Sequence, residues 1–530
     1  MLLSLFFIII SSPSLAKVIT VGKEPGHDYS IIQEAITSSE NGDEIIVLPG
    51  VYEEDINFDG ENIILRSLEP TSETLVNQTV ISGSIISDSI VTFKGDEMSS
   101  CVLSGFTISR GHDSKKRGID GNGCHAKIEY NWITKNYWEG GDGIAADGGG
   151  GIKDCDGVIQ YNRITDNLLV GDLINGGGLA FCDGVIRHNI IQGNQIGHKR
   201  FSCMSDANFG GGLYACHGII EYNEITSNTV FSYIGGGGGG LSHCNGIIYK
   251  NLISSNVANE ENDPYYSDGG GALYECRALI IENIISENKS PYHGAVKCPE
   301  GFIFKNVISK NSAGVSGGGI ILNNLITHNG YGAYFAHGEI RNNIIAFNSY
   351  GAYCSGIIEN NLIYRNWAGV VSTLGYTKVF KNNIVWENHR HQIKNWSSYY
   401  HEDVKPEFCC IQDWEKPGGD NITSAPLFMN PGENDFRLQE GSPCIDAGDP
   451  DPAYNDRFMP PGKGSRRCDM GPYGGPWNFD NPIPVIVTEH ILGNFKIYPA
   501  HIQYFDFNKD AVIDVCDLLL SFEETEFQFP

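Results

Sequence analysis

Apolar and polar residues alternate in short runs along most of the chain, and the same runs keep returning. The unit is clearly legible as Cys155-Asp-Gly-Val-Ile-Gln-Tyr-Asn162-Arg-Ile164-Thr-Asp-Asn167. It recurs from Cys182 to Asn194, Cys216 to Asn228, Cys244 to Asn256 and Cys276 to Asn288, and in weaker form from Cys124 to Asn136. Aligned on the middle Asn, copies fall at Asn131, Asn162, Asn189, Asn223, Asn251, Asn283, Asn306, Asn324, Asn343, Asn361 and Asn383. The shortest step, 18 residues, defines one turn of the structure, and longer steps carry insertions. Eighteen residues are too few for a pair of helices, and Ile and Val interleaved with polar residues read as strands. Each short copy divides into three extended runs separated by Gly or Asn, residues that tolerate the left-handed angles of a sharp corner. Three strands and three corners make one coil, and equal coils stack into an all-β, three-sheet parallel β-helix, a solenoid.

Stacking accounts for the columns. Ile159, Ile186, Ile220, Ile248 and Ile280 should fill the inside of one wall, and Ile164, Ile191, Ile225, Ile253 and Ile285 the next. The Asn column should hydrogen-bond its amides up and down a corner, satisfying backbone groups that water cannot reach. Of the 15 cysteines, Cys124, Cys155, Cys182, Cys216, Cys244, Cys276 and Cys354 share one inward position, and Cys298 misses it by a single residue. Neighbours about 4.8 Å apart with parallel side chains favour a buried ladder of free thiols over disulfides.

The ends differ from the repeat. Residues 1–16 read as a signal peptide, with an apolar run and Ser14-Leu15-Ala16 as the cleavage site. Residues 17–100 contain strand-like segments around Tyr29–Thr37, which has helical spacing and would cap the first coil. Residues 101–430 hold the repeats, 431–476 a closing segment, and 477–530 a linker and a short separate module.

With its repeats and ends, the chain up to Gly475 resembles the secreted right-handed parallel β-helix proteins of the pectate-lyase-like superfamily. The resemblance implies an N-terminal helical cap. It also implies a closing segment carried by Asn434–Asp449 and Cys468–Gly475, with Cys444 and Cys468 as candidates for a disulfide across it. The chain carries no complete catalytic signature of a pectate lyase, polygalacturonase or pectin esterase.

The signal peptide predicts a secreted or cell-surface protein, and no later stretch is long and apolar enough to be a transmembrane segment. A net charge of −28, from 36 basic and 64 acidic residues, disfavours nucleic acid as a partner. It equally disfavours a polyanionic glycan unless calcium or a local basic patch intervenes.

Near the C-terminus, Asp506, Asn508, Asp510, Asp514 and Asp517 place side-chain oxygens at positions one, three, five, nine and twelve of a loop, and Val512 offers its carbonyl at seven. This spacing wraps oxygens around calcium. The segment resembles one calcium-binding repeat of a dockerin, which implies an extracellular protein partner. Two departures stand out: Ala511 occupies the position where Gly normally makes the turn, and a dockerin has two repeats where one is visible here.

If Cys points inward, its neighbours point outward. The column after Cys reads His125, Asp156, Asp183, His217, Asn245 and Arg277; the column before it reads Asp154, Phe181, Ala215, His243 and Glu275, with Lys297 near the same line. Asp154, Asp156 and Asp183 should form a carboxylate cluster beside His217 and His243, with Glu275 and Arg277 on the same face. Packed carboxylates raise one another's proton affinity, the arrangement that glycosidic hydrolysis uses. The same oxygens could hold calcium for a lyase, with Arg277 or Lys297 abstracting a proton. Insertions after the second Asn project over this face, and Trp138, Tyr233, Tyr265 and Tyr266 offer rings for sugar stacking. The expectation is an exported β-helix protein that binds, and as a hydrolase or lyase cleaves, an extended polysaccharide. The alternatives are a non-catalytic adhesin or structural rod, or a protein riding on an extracellular assembly through its tail.

Overall fold

In the computed structural model the chain is a right-handed, three-sheet parallel β-helix. The structure describes residues 16–478 apart from 85–87, 111–115, 141–146, 172, 198–207, 233–235, 259–268, 292–293, 318, 337, 396–403 and 417, and beyond 478 only residues 487, 509, 512 and 513. Residues 1–15 of the expected signal peptide therefore lie outside the described residues.

The repeat maps onto three walls. Ile152–Cys155, Leu179–Ala180, Leu213–Tyr214, Leu241–Ser242, Leu273–Tyr274 and Val296–Lys297 belong to the first. Val158–Gln160 and its equivalents form the second, and Arg163–Thr165 and its equivalents the third. Among the described residues the first two walls form one 27-stranded sheet, because late strands such as Tyr350–Glu359 and Ala368–Lys381 run through the corner between them, and the third wall has 15 strands.

Register follows the sequence columns. Ile159, Ile186, Ile220, Ile248 and Ile280 are successive partners, as are Ile164, Ile191, Ile225, Ile253 and Ile285. All ten are fully buried. Burying such side chains contributes roughly 1.5–3 kcal/mol each, so the axial stack is the main source of stability.

The corners meet expectation in the late coils, where Asn323, Asn342, Asn360 and Asn382 take left-handed angles, and differ from it in the early ones. The left-handed angle sits on the residue before each Asn, including Tyr130, Tyr161, His188, Tyr222, Lys250 and Glu282, with φ of 50–58°. A non-glycine residue pays roughly 1–2 kcal/mol there. The Asn that follows offsets it: Asn162 Nδ2 donates to Ile128 O (2.8 Å) and Asn189 Oδ1 (3.0 Å), and Asn162 N donates to the same Oδ1 (2.9 Å). A second ladder runs from Asn136 through Asn167 and Asn194 by the same bonds.

The insertions begin as regular structure. Tyr137–Glu139, Leu168–Val170, Gln195–Gly197, Thr229–Val230 and Val257–Ala258 make a five-stranded parallel sheet beside the early coils.

At the N-terminal end the helix Ile32–Ser38 buries Ile32, Ala35 and Ile36 against the first coil. Glu54 accepts from Ile32 N (3.0 Å) and Gln33 N (2.9 Å), satisfying amides that the helix leaves open. At the other end the closing segment runs back along a corner. Asn382 Oδ1 accepts from Asp449 N, and Asn360 Nδ2 donates to Asp469 O. Asn342 Nδ2 donates to Pro472 O and Gly474 O, and Asn323 Nδ2 to Trp477 O.

Two cysteine expectations need correction. Cys444 and Cys468 are free thiols. Cys444 lies instead against Cys410, and Cys468 Sγ accepts from Asn360 Nδ2 at 3.4 Å. Cys298 does join the inward column, where its thiol hydrogen-bonds that of Cys276. Its sequence offset arises because Cys298 directly follows Lys297, the partner of Tyr274, whereas Glu275 stands between Tyr274 and Cys276. That coil lacks one corner residue.

Candidate functional site

The face around the Cys corner is built by close backbone packing. Gly157, Gly184, Gly218 and Gly246 follow the outward column, and a Cβ at any of them would come within 1.9 Å of the preceding coil's carbonyl oxygen. At these four positions a side chain would force the coils to shift, whereas Ala126 and Ala278 hold the equivalent places in two other coils; the tight approach brings the outward side chains into line.

Behind this face the Cys column is buried and reduced. Cys124 and Cys155 Sγ atoms lie 3.6 Å apart. Burial pushes the Cys182, Cys216, Cys244 and Cys276 thiols well up; for Cys155 the hydrogen-bonded Cys124 thiol is the larger influence. Such thiols are unreactive and serve as packing.

The column after Cys forms a continuous ladder. Asp156 Oδ1 accepts from Asp183 N (2.9 Å), Asp183 Oδ1 from His217 N (2.7 Å), His217 Nδ1 from Asn245 N (3.3 Å) and Asn245 Oδ1 from Arg277 N (2.9 Å). His125 Nδ1 lies 3.4 Å from Asp156 O. Arg277 Nε faces Glu300 at 3.4 Å, with both side chains more than half exposed. Each carboxylate thus caps a backbone amide with one oxygen and keeps the other free.

The column before Cys occupies left-handed corners at Asp154, Phe181, Ala215, His243 and Glu275, with φ of 49–57°. Asp154 is half-buried, and burial raises its pKa, with Asp156, Asp120 and Asp183 adding to the shift against Lys153. Asp120 completes this group because it pairs in register with Lys153. His243 is pushed down by burial and by His217 and Arg277, and its Nδ1 lies 2.8 Å from Ser242 Oγ. It is therefore neutral near pH 7.

An aromatic patch surrounds His243. Phe209 lies 5.3 Å from His243 and 5.5 Å from Tyr274, and Tyr214 lies 5.5 Å from both Phe181 and His243. Lys297 Nζ sits 4.9 Å over the Tyr274 ring. Lys297 thus belongs to the Tyr274 column rather than the Glu275 one. Phe209, Tyr214, Tyr274 and Asp120 were not singled out from the sequence, although the aromatic at two residues before Cys216 and Cys276 was visible there.

The other predicted residues fall elsewhere. Trp138 is packed against Leu169, Ile174, Ile196 and Val230, and the Arg117 guanidinium covers its ring at 4.2 Å. Tyr233, Tyr265 and Tyr266 lie outside the described residues, as do Asp506, Asn508, Asp510, Asp514 and Asp517; Val512 is described and exposed. Among the described residues no group of three or more His, Cys, Asp or Glu side chains is arranged to hold a metal ion. Among the same residues no helix is long and apolar enough to cross a membrane.

Scale divides this face in two. Coils rise about 4.8 Å, so Asp154, Asp156, Asp183 and Asp120 lie within one or two steps, whereas His243 is three steps from Asp154, roughly 14 Å away. Carboxyl pairs that cleave glycosidic bonds stand roughly 5–9.5 Å apart. A separation of one or two coils falls in that range and one of three coils does not, so Asp154 and His243 do not form such a pair. Compared with known proteins, the chain matches no family model and no curated sequence.

Proposed function

We propose that this is an exported β-helix protein, akin to the pectate-lyase-like superfamily, that binds an extended polysaccharide along the face from Asp154 to Lys297. The observation that carries the reading is the succession of two surfaces on one face: a carboxylate group in which the Asp154 pKa is raised by burial, and an aromatic patch further along the axis. Phe209 and Tyr214 are partly exposed and can stack on sugars, and Asp154, whose proton affinity is raised, can serve as a general acid. Hydrolysis fits better than elimination. A calcium held by Asp156 and Asp183 would be three to four coils, about 14–19 Å, from Arg277, too far for both to act on one sugar.

A second reading, a non-catalytic adhesin or rod, is favoured by one fact: Asp156 and Asp183 already hold backbone amides and so have a structural use. A polysaccharide panel assayed for retention, reducing ends and unsaturated products, with and without calcium, separates the two. Asp154→Asn should abolish reducing-end release while retention persists. Retention of no polysaccharide would sink the first reading, and retention without cleavage would leave the adhesin. We further propose that residues 506–517 bind calcium in the dockerin-like manner, through which an extracellular partner could be met.

A further inference from the structure

The outside of the second wall changes character along the axis. In early coils the residues flanking each inward Ile include Lys127 and Glu129, then Val158 and Gln160, then Val185 and Arg187. In the next five coils they include Ile219, Ile247 with Tyr249, Leu279 with Ile281, Phe302 with Phe304, and Ile320 with Leu322, before charged flanks return at Glu339 and Arg341. An apolar outer face on a solenoid needs a cover.

The cover comes from the chain's own C-terminal part. Val487 and Ile513 belong to the buried cluster formed with Ile219, Tyr249, Leu279 and Phe304, and Trp477 packs at its edge. Val487 is fully buried and Ile513 is 8% exposed, while the adjacent Val512 is 57% exposed. The route is consistent, because the closing segment meets Asn382, Asn360, Asn342 and Asn323 in turn and so heads back towards this wall.

Ile513 has a particular place in the 506–517 loop. It stands between the backbone ligand at position seven, Val512, and the carboxylate at position nine, Asp514. Anchoring Ile513 would restrain the chain between those two ligand positions.

We infer that the apolar outer face of the second wall is the docking partner of the calcium loop, so that calcium binding and tail docking reinforce each other. The inference rests on the reading of residues 506–517 as a calcium site. By reciprocity, whatever factor docking adds to calcium affinity, calcium adds to docking.

The test uses the full-length protein. Calcium affinity is measured by calorimetry for wild type, for Ile513→Ser and for the wall variant Leu279→Ser/Ile281→Ser, which leaves inward Ile280 in place; circular dichroism checks the strands. Limited proteolysis with and without calcium follows docking of the tail. The expected result is one site in wild type, affinity weaker by about fivefold or more in both variants, and calcium-dependent protection of the tail. Should the wall variant fail to fold, Val487→Ser decides, since Val487 packs in the same cluster but lies outside both the solenoid and the 506–517 loop. Unchanged affinity in the variants, with wild-type binding intact, overturns the coupling and spares the calcium site. No binding by wild type overturns both.

Discussion

The backbone N–H of Asp183 donates to Asp156 Oδ1 at 2.9 Å, linking two coils through a side chain that also belongs to the candidate catalytic group. Asp156→Ala should therefore cost about 1–2 kcal/mol of stability, whether or not the protein is an enzyme. Asp156→Asn keeps an acceptor oxygen and should cost less than half of that. If the carboxylate has a chemical role, Asn removes turnover while the urea midpoint stays close to wild type; the two measurements together separate scaffold from catalysis.

Asn223→Ala is expected to be far more damaging. It strips partners from Asn189 N and Ile186 O, both buried, and breaks the bond to Asn251 Oδ1. Orphaned groups at roughly 1–3 kcal/mol each predict a loss of about 3–5 kcal/mol, readable in denaturant unfolding.

Gly218→Ala should strain the corner, because its Cβ would lie 1.9 Å from Gly184 O, although Ala278 holds the equivalent place two coils on. A loss of about 1–3 kcal/mol in denaturant unfolding is the expected outcome. Gly432→Ala, where the nearest atom is 3.7 Å away, should be close to neutral.

The closing segment should respond to pH. Burial, chiefly, raises Asp456 to about 7 and Asp469 to about 6. Unfolded, both would titrate near 3.9. The folded chain therefore holds protons that the unfolded chain has released, and the stability these carboxyls confer is full below about pH 4 and is lost as pH rises through 6 to 7. Urea midpoints of wild type and Asp456→Asn should diverge across that window, with the variant the flatter of the two.

Thiol titration checks the Cys column. Cys124, Cys155, Cys182, Cys216, Cys244, Cys276 and Cys298 should ignore a thiol reagent in the native state and all react once guanidinium unfolds the chain. Any disulfide among them recovered by mass spectrometry would contradict the free ladder.

The walls were legible in the sequence because a coil of fixed length repeats each inward Ile at one position, as with Ile186 and Ile220. The corners were legible in part. Propensity points to Asn and Gly for left-handed angles, and Asn323, Asn342, Asn360 and Asn382 take them, yet so do Tyr161, His188 and Tyr222, since hydrogen bonds from the following Asn override local preference. Phe209 and Tyr274 are 65 residues apart in sequence and meet only through the register of inserted coils. The covered outer wall did leave a sign: Ile247-Ile-Tyr249 and Phe302-Ile-Phe304 are apolar throughout, where a solvent-facing strand should alternate. The runs are three residues long, too short for the loss of alternation to stand out.

Stacked coils ordinarily fray from a loose end, one layer at a time. Here the returning closing segment ties Asn382, Asn360, Asn342 and Asn323 to a single length of backbone. Those layers must come apart as a block once that seam is unzipped. Melting is thereby denied an easy starting point at this end, and a truncation that removes the seam would turn a cooperative block into a gradual unravelling.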